Sequence, residues 1–325
     1  MRRLFCALSF ALVAALPARA DDSSAALGAG GIAFTQNPDV RMADEDLTIS
    51  PKEVRIRFVF ANDSDRDIDT VVAFPLPDID TAEFYGSAIG TETDDPVNFV
   101  GFTVMADGVS VTPKVEQKAF VKNRDVTALL AAAGVPVNPT VGQGYALLDT
   151  LSKAKRAPLL AAHAVEDNGD GTLVPQWTAR TKFYWTGHFP AHKAVVLAHR
   201  YQPVTGQSFF GAFALSGEEG AYYDKTFCLD APTKAALSRK IAAQRAKGGG
   251  NGDLLNMTAT NYILGTAKNW RGPIGHFHLT LDKLKPDAVL SLCWDGSLRK
   301  TAPTRFEFEE TNFTPARDIA MMVVE

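Results

Sequence analysis

The chain has 325 residues, of which 46% are hydrophobic, so it can bury one large core or two of ordinary size. Lys and Arg number 33 against 37 Asp and Glu, which gives a formal net charge of −4. This balance argues against a nucleic-acid partner and against electrostatic attachment to anionic lipid, because both require clustered Lys and Arg.

Residues 1–20 are predicted to be a secretory signal peptide. Arg2 and Arg3 form a basic head, an apolar run follows, and Ala18-Arg19-Ala20 has the small-x-small pattern of a cleavage site. We therefore expect cleavage after Ala20 and a periplasmic protein. A membrane anchor is the less favoured alternative, since the apolar run is shorter than the ~20 residues that span a bilayer. No later run is apolar and long enough for a transmembrane helix.

Cleavage would leave two cysteines, Cys228 and Cys293, and would take the formal charge from −4 to −7 by removing three arginines. An oxidising compartment and an even count favour one disulfide between these cysteines. Two separate buried thiols are the alternative.

The clearest strand pattern lies in residues 53–77. Apolar residues alternate with polar ones from Val54 to Phe60, which predicts a strand with one face in a core. A polar run from Asn62 to Asp65 predicts a turn, and a second β-rich run extends from Ile68 to Phe74. Together these features predict a β-hairpin that Pro75 and Pro77 end.

Shorter elements flank this region. A strand is predicted at Ile32–Thr35, and the acidic Asp44-Glu45-Asp46 is predicted to be a solvated turn between two strand pieces. That triplet lacks the spaced ligands and the glycine of a calcium loop. Further along, Asp107-Gly108 between valine-rich runs predicts a second hairpin, because Gly tolerates a positive φ.

The β pattern breaks at residues 122–170, where short helices are predicted, the first ending at Gly134. Trp177–Phe189 returns to strand, with Lys193–Tyr201 as its expected partner. Tyr222–Leu229 is also predicted to be a strand. Asp230 is expected to cap a surface helix over residues 231–247.

The last quarter is strand-rich, and many short strands with frequent turns favour a mainly β protein. We expect an antiparallel β-sandwich with a small helical excursion and one late surface helix. Its regions would be 21–121 (β), 122–170 (helical) and 171–325 (β), or one continuous domain over 21–325.

Several segments together resemble one protein family. They are Asp22-Ser23-Ser24, Ala29-Gly30-Gly31, Glu45-Asp46-Leu47, Glu53-Val54-Arg55-Ile56, Ala73-Phe74-Pro75-Leu76-Pro77-Asp78, His199 with Tyr201, Asn269-Trp270-Arg271-Gly272-Pro273-Ile274-Gly275 and Leu279-Thr280-Leu281-Asp282-Lys283. This combination resembles the bacterial secreted family labelled domain of unknown function 4424, over almost the whole chain after residue 20. The resemblance implies a periplasmic, mostly β protein and no established activity.

Residues 54–115 also resemble, in outline only, the β domain of the vault and inter-alpha-trypsin-inhibitor type. Both run from a valine-rich strand through an Asn-x-Ser turn to a Phe-Pro-Leu-Pro exit. The similarity implies a structural or interaction module, although a fold alone does not fix a function.

Metal and nucleophile patterns are weak. His276 and His278 share a strand face and could chelate one ion, but solvated strand histidines are favoured, and no zinc motif is present. Neither Gly206-Gln207-Ser208 nor Leu215-Ser216-Gly217 forms a Gly-x-Ser-x-Gly elbow. We therefore predict no metal, no cofactor and no catalytic residue.

His199 is the most informative histidine. It has the same parity as Leu197 and Tyr201, so it should face the apolar side and need a hydrogen-bond partner. Two interpretations remain open. In one, His199 is structural and bonds a backbone carbonyl, and in the other it forms a ligand pocket with Trp185 and Tyr201.

These observations favour a non-enzymatic binding or interaction module at the cell envelope, with an envelope protein or a small ligand as partner. One alternative is an envelope hydrolase that uses loop carboxylates or His199. The other is a soluble carrier of a small apolar ligand near Trp185, His199 and Tyr201.

Overall fold

The computed structural model describes residues 21–29, 31–85, 89–248 and 252–325. The predicted signal peptide, residues 1–20, lies outside the described residues. Within the described ranges, no helix is long and apolar enough to cross a membrane.

Strands form most of the regular structure, as predicted for a mainly β protein. The first half contains β1 (Ser23–Gly28), β2 (Gly31–Phe34), β3 (Val40–Ile49), β4 (Val54–Asn62), β5 (Ile68–Pro75), β6 (Ile79–Asp80), β7 (Ile89–Gly90), β8 (Thr103–Ala106), β9 (Val109–Val111), β10 (Lys114–Val121) and β11 (Arg124–Asp125). The second half contains β12 (Val165–Asp167), β13 (Leu173–Pro175), β14 (Thr178–Phe189), β15 (Ala194–Tyr201), β16 (Thr205–Phe210), β17 (Leu255–Tyr262), β18 (Ile274–Asp282), β19 (Val289–Leu292), β20 (Arg299–Lys300), β21 (Arg305–Phe313) and β22 (Ile319–Val324).

Helices are short and few. They are α1 (Thr127–Ala133), α2 (Gly144–Asp149), α3 (Lys153–Ala161), α4 (Gly217–Phe227) and α5 (Ala231–Ala246), with 3₁₀ turns at Ala212–Leu215 and Gly265–Asn269. The helical excursion before residue 170 is therefore confirmed. Gly134 ends α1 with a φ of 77°, a conformation that favours glycine.

Two large sheets face each other across the main hydrophobic core. Sheet I has the order β11-β10-β14-β5-β1-β2, with β6 beside β14, and sheet II has the order β20-β21-β18-β3-β4-β15-β8-β9. Neighbouring strands are antiparallel, except that β3 and β18 run parallel. Both sheets combine strands from residues 21–121 with strands from residues 171–325. The predicted antiparallel sandwich is confirmed.

A third sheet, sheet III, has the order β19-β22-β17-β16-β7 and separates two cores. Successive side chains of a strand point to opposite faces. In β22, Met321 and Val323 therefore enter the main core, whereas Met322 and Val324 enter a smaller core. Helices α4 and α5 cover that smaller core, so sheet III is buried on both faces.

The hairpin predicted for residues 53–77 is wrong in its pairing. Strand β4 pairs with β3 and β15 in sheet II, whereas β5 pairs with β1 and β14 in sheet I. The chain therefore crosses from one sheet to the other at the polar turn. Asn62 holds this crossing, because its Nδ2 donates to the carbonyl oxygens of Arg66 and Phe189, each at 2.8 Å.

The expected pairing of β14 with β15 is wrong for the same reason. Strand β14 lies in sheet I and β15 in sheet II, with the tight turn between them serving as a second crossing. A strand that buries one face has alternating apolar and polar residues, whether the next strand pairs with it in a hairpin or lies in the other sheet. The pattern therefore predicted the strands correctly and their partners wrongly.

The acidic triplet Asp44-Glu45-Asp46 is not a turn. It lies inside β3, between β4 and β18, and Glu45 is fully buried while its two neighbours are more exposed. A β-bulge between Met42 and Asp44 precedes the triplet, and its extra residue changes which side chains of β3 point into the core.

Tyr222–Leu229 is also not a strand, because these residues form the end of helix α4 and the turn that follows it. Cys228 ends α4 in the left-handed conformation with a φ of 52°. Its bond with Cys293 confirms the predicted disulfide, with the two Cα atoms 4.9 Å apart. The bridge ties the end of α4 to the residue that follows β19.

Two local predictions are confirmed in detail. Asp230 caps α5 by accepting a hydrogen bond from the Thr233 backbone N–H at 2.8 Å, and Leu237 and Ile241 are the buried residues of this surface helix. Asp107 and Gly108 both adopt positive φ values, 48° and 79°, in the tight turn that joins β8 to β9.

Candidate functional site

Two features stand out as sites, one closed and one open. The first is a group of ionisable side chains sealed between the sheets. Its centre is the pair of His199 and Asp22, whose Nε2 and Oδ2 atoms lie 2.9 Å apart with both side chains fully out of solvent. His199 is on β15, in sheet II, and Asp22 directly precedes β1, in sheet I.

Three carboxyl groups share this closed region, and we call Asp21, Asp22 and Glu45 the buried acid cluster. Burial raises the pKa of all three groups, because a low-dielectric core disfavours the charged form. Glu45 raises the pKa of Asp21 further by repulsion. The hydrogen bond and charge of the neighbouring His199 act to lower the pKa of Asp22, but burial has the larger effect.

The start of the described chain is held firmly against the 3₁₀ turn at Gly265–Asn269 and its flanking residue. Thr266 Oγ1 donates to the Asp21 carbonyl oxygen at 2.7 Å, and Trp270 Nε1 donates to the Asp22 carbonyl oxygen at 2.7 Å. Asn269 Nδ2 donates to Ser23 Oγ at 2.8 Å. These bonds place the Asp21 backbone inside the protein.

The three residues predicted to bind a ligand do lie together. The rings of Trp185 and His199 have centroids 5.4 Å apart, and Tyr201 follows on the same strand face as His199. All three are buried in the main core, and none of them is among the described lining residues of the three cavities beside α4, beside β22 and beside β21. A binding role for them stays a prediction.

Neither interpretation of the sequence predicted the hydrogen-bond partner that His199 has in the structure. A structural histidine was expected to bond a backbone carbonyl, but the partner is the Asp22 carboxyl group. Asp22 directly follows the predicted cleavage site in a polar stretch, and nothing in its sequence indicates burial.

The open feature is a cleft of about 700 Å³ between α4, sheet III and the segment after β5, and we call it the acidic cleft. Five carboxyl groups and four aromatic rings line it. The residues are Asp78, Asp80, Glu83, Glu218 and Glu219, with Phe84, Tyr222, Tyr223 and Phe227. No Lys or Arg is among the described lining residues, and Arg180 pairs with Asp78 alone among the five carboxyl groups, so the lining carries more negative than positive charge.

Two groups of the acidic cleft have shifted pKa values. Burial raises the pKa of Asp78, and this effect exceeds the opposing attraction of Arg180, whose Nε lies 3.0 Å from Asp78 Oδ2. Burial and the nearby Glu219 carboxyl group raise the pKa of Tyr223. The Tyr223 hydroxyl is therefore a neutral hydrogen-bond donor at neutral pH.

The two strand histidines are paired with acids on the open face of sheet II. His276 lies 2.9 Å from Asp44 and 2.8 Å from Glu309, and His278 lies 3.2 Å from Asp46. Among the described residues, no group of three or more His, Cys, Asp or Glu side chains could hold a metal ion.

The fold and these two sites define a mainly β protein with three larger sheets, one two-stranded sheet (β12-β13), a closed acidic core and an open acidic cleft. The chain belongs to the family Domain of unknown function (DUF4424), whose sequence profile matches residues 20–322. A search of curated proteins finds no significant match. The outline similarity to the vault and inter-alpha-trypsin-inhibitor type of domain stays a prediction.

The solved structures that match this chain include a protein from Legionella pneumophila described as a "putative nutrient binding protein", with a TM-score of 0.43 and 12% sequence identity. The similarity covers 94% of this chain and 70% of that chain.

Proposed function

We propose that the protein is a non-enzymatic binding module of the bacterial periplasm, and that its ligand is a small organic cation held in the acidic cleft. The observation that carries this proposal is the lining itself: five carboxyl groups, of which Asp78 is paired with Arg180, and four aromatic rings, with no Lys or Arg among the described lining residues. A cation is the ligand class that both kinds of group favour.

The two kinds of group act together. Carboxylates attract a cation over several ångströms, and the faces of aromatic rings attract it at short range, by about 0.5–2 kcal/mol per ring. Tyr222 and Tyr223 offer rings on the α4 side, and Phe84 offers one on the opposite side. A quaternary or alkylated ammonium fits this combination better than a bare metal ion, which would prefer oxygen ligands alone.

The size of the cleft agrees with a small molecule. Ligand sites are typically concave and about 300–1,000 Å³ in volume. The cleft also lies between a helix and a sheet edge, where its walls are held by the Cys228–Cys293 bond near the end of α4. A largely preformed site loses little free energy to ordering when it binds.

Isothermal titration calorimetry with a matched pair of probes tests the proposal. Choline carries a trimethylammonium group, and 3,3-dimethylbutan-1-ol has the same shape without the charge. We expect choline to bind and the neutral alcohol not to bind. Equal binding of both would instead indicate a carrier of apolar ligands, and binding of neither choline nor spermidine would overturn the proposed ligand class.

The periplasmic location rests on the predicted signal peptide and has its own test. Fractionation of cells that express the full chain should place the protein in the periplasm, starting at Asp21 by N-terminal sequencing. A full-length protein retained in the cytoplasm would contradict the location without bearing on the cleft.

A further inference from the structure

The buried acid cluster lacks enough partners. Both carboxyl oxygens of Glu45, together with Asp21 Oδ2 and Asp22 Oδ1, have no hydrogen-bond partner among the described residues. Glu45 is fully buried in the middle of β3. A buried carboxylate without a partner is strongly unfavourable, so a native protein normally supplies one.

Two tyrosine hydroxyls beside the cluster are also without partners. Tyr201 and Tyr262 are fully buried, and neither hydroxyl has a hydrogen-bond partner within the part of the chain that the structure describes. The charges of Asp21 and Glu45 act on Tyr262, and that of Asp21 acts on Tyr201. Four carboxyl oxygens and two tyrosine hydroxyls thus lack partners in this part of the core, and no Lys or Arg is among the described groups that act on the carboxyl groups.

Among the described residues, the groups that act electrostatically on Asp21 and Glu45 are other carboxyl groups, and His199 is already hydrogen-bonded to Asp22. A small cationic group that reaches the core beside Asp21 would give these carboxyl groups a partner. The backbone nitrogen of Asp21 is close by, because it belongs to the same residue as one carboxyl group of the cluster, and Thr266 Oγ1 holds the carbonyl oxygen of that residue at 2.7 Å.

We propose that the buried acid cluster is the binding site for the α-ammonium group of Asp21, which cleavage after Ala20 creates. Hydrolysis adds water across the Ala20–Asp21 peptide bond. The carboxylate leaves on Ala20, and the nitrogen stays on Asp21 as an amine that takes up a proton. An uncharged amide with one N–H becomes an ammonium with three.

The charges then come close to balance. Glu45 gains a cationic partner, and the ammonium also lies beside its own residue's side chain. Asp22 keeps its hydrogen bond to His199, and one further proton shared between the carboxyl groups of Asp21 and Glu45 would leave these two groups with a single negative charge for the ammonium to balance. Tyr201 and Tyr262 can donate to the remaining carboxyl oxygens.

Cleavage after Ala20 therefore supplies a charged group that the buried acid cluster lacks before cleavage. Residues 21–24 are fully buried, and Ser23–Ala25 pairs with β5, so the site lies where the first strand joins sheet I. A chain that keeps residues before Asp21 places an uncharged amide beside Glu45. That chain should fold to a less stable protein.

A double-mutant cycle tests this in chains released by a protease that leaves no scar. One chain begins at Asp21 and the other keeps Ala20, and each is made with Glu45 and with Glu45→Gln. We expect retention of Ala20 to lower the melting temperature by roughly 5 °C or more with Glu45, and to have little effect with Glu45→Gln. Equal losses in the two backgrounds would overturn the proposal.

A direct reading of the α-amino group gives a second test. In protein labelled with ¹³C-aspartate, the pH dependence of the NMR signal of Asp21 Cα reports the pKa of its α-amine without modifying it. We expect this pKa to lie above the ordinary range of about 7.7–8.0, and Glu45→Gln to bring it down. Glu310→Gln, at an exposed position of β21, is the matched control.

An α-amine that titrates in its ordinary range in the folded protein would contradict the proposal. So would N-terminal sequencing of the secreted protein that finds a first residue other than Asp21. Neither outcome bears on the acidic cleft, whose ligand is tested on its own.

Discussion

His199 Nε2 lies 2.9 Å from Asp22 Oδ2, and this hydrogen bond joins the start of sheet I to the middle of sheet II inside a closed core. The rings of Phe58, Phe74 and Trp185 surround the imidazole, with centroids 5.4–5.5 Å away. Water cannot take the place of either partner. Removing one of them therefore leaves the other buried without a counter-group.

We expect His199→Ala to lower the free energy of unfolding by about 3–5 kcal/mol, because it leaves the buried Asp22 carboxyl group without a partner and creates a cavity. Urea denaturation followed by tryptophan fluorescence measures the change. His188 provides a matched control, since its Nδ1 lies 2.8 Å from Asp69 Oδ1 but its side chain is 56% exposed. His188→Ala should change stability by less than about 1 kcal/mol. Similar losses for the two variants would show that burial is not the cause.

The raised pKa of Glu45 predicts a pH dependence in a chain that keeps Ala20. A folded-state pKa above the unfolded value of about 4.3 means that the folded protein holds a proton that the unfolded chain has released. This contribution is fully present below the unfolded pKa and is lost as the pH rises through the folded pKa. Stability should therefore fall as the pH rises above about 4.

Urea midpoints between pH 4 and pH 8 measure this effect. Glu45→Gln should make the slope less steep in the chain that keeps Ala20, because Gln carries no charge to bury. In the chain that begins at Asp21, the α-ammonium should reduce the slope without any substitution. Parallel slopes for all three proteins would exclude Glu45 as the group responsible.

The Cys228–Cys293 bond joins residues separated by 65 positions. In the chain-entropy account, closing a loop of that length in the unfolded chain stabilises the fold by about 4 kcal/mol. The Cys228→Ser, Cys293→Ser double variant should lose about that much stability in urea. A thiol assay on the unreduced, denatured protein should find no free thiol in the chain that begins at Asp21, and two free thiols would refute the bond.

Much of the fold could be predicted because the signals are local. Asp230 caps α5 and Asp107-Gly108 forms a tight turn through bonds and dihedral angles that involve only neighbouring residues. The alternation in β4 likewise located a strand correctly. Strand partners could not be predicted, since β4 and β5 each bury one face whether they pair together or join different sheets.

The candidate site was only half predictable. The parity of His199 placed it in the core, but Asp22 is 177 residues away and carried no signal that it would be its partner. Glu45 was predicted to be exposed because charged residues usually are. A carboxyl group can be buried when the fold brings a partner into contact with it, and a local sequence does not show this. For Glu45 we infer that the partner is the Asp21 ammonium group, which exists only after cleavage.

The acidic cleft leads to a prediction about a single ring. Tyr222 lines the cleft on α4 with 55% of its surface exposed, so it can be removed without opening the core. We expect Tyr222→Ala to weaken choline binding roughly tenfold, since one cation–π contact is worth about 1–2 kcal/mol in a partly desolvated site. Calorimetry with the variant measures the loss.

Phe213 is the matched control for Tyr222, because its ring is 49% exposed but lies outside the described lining of the cleft. Phe213→Ala should leave choline binding unchanged. Glu219→Gln should also weaken binding, and the loss should shrink at high salt, because salt screens the carboxylate while a ring contact is affected less. If Tyr222→Ala and Phe213→Ala bind choline equally well, Tyr222 does not contact the ligand and the aromatic part of the site is wrongly placed.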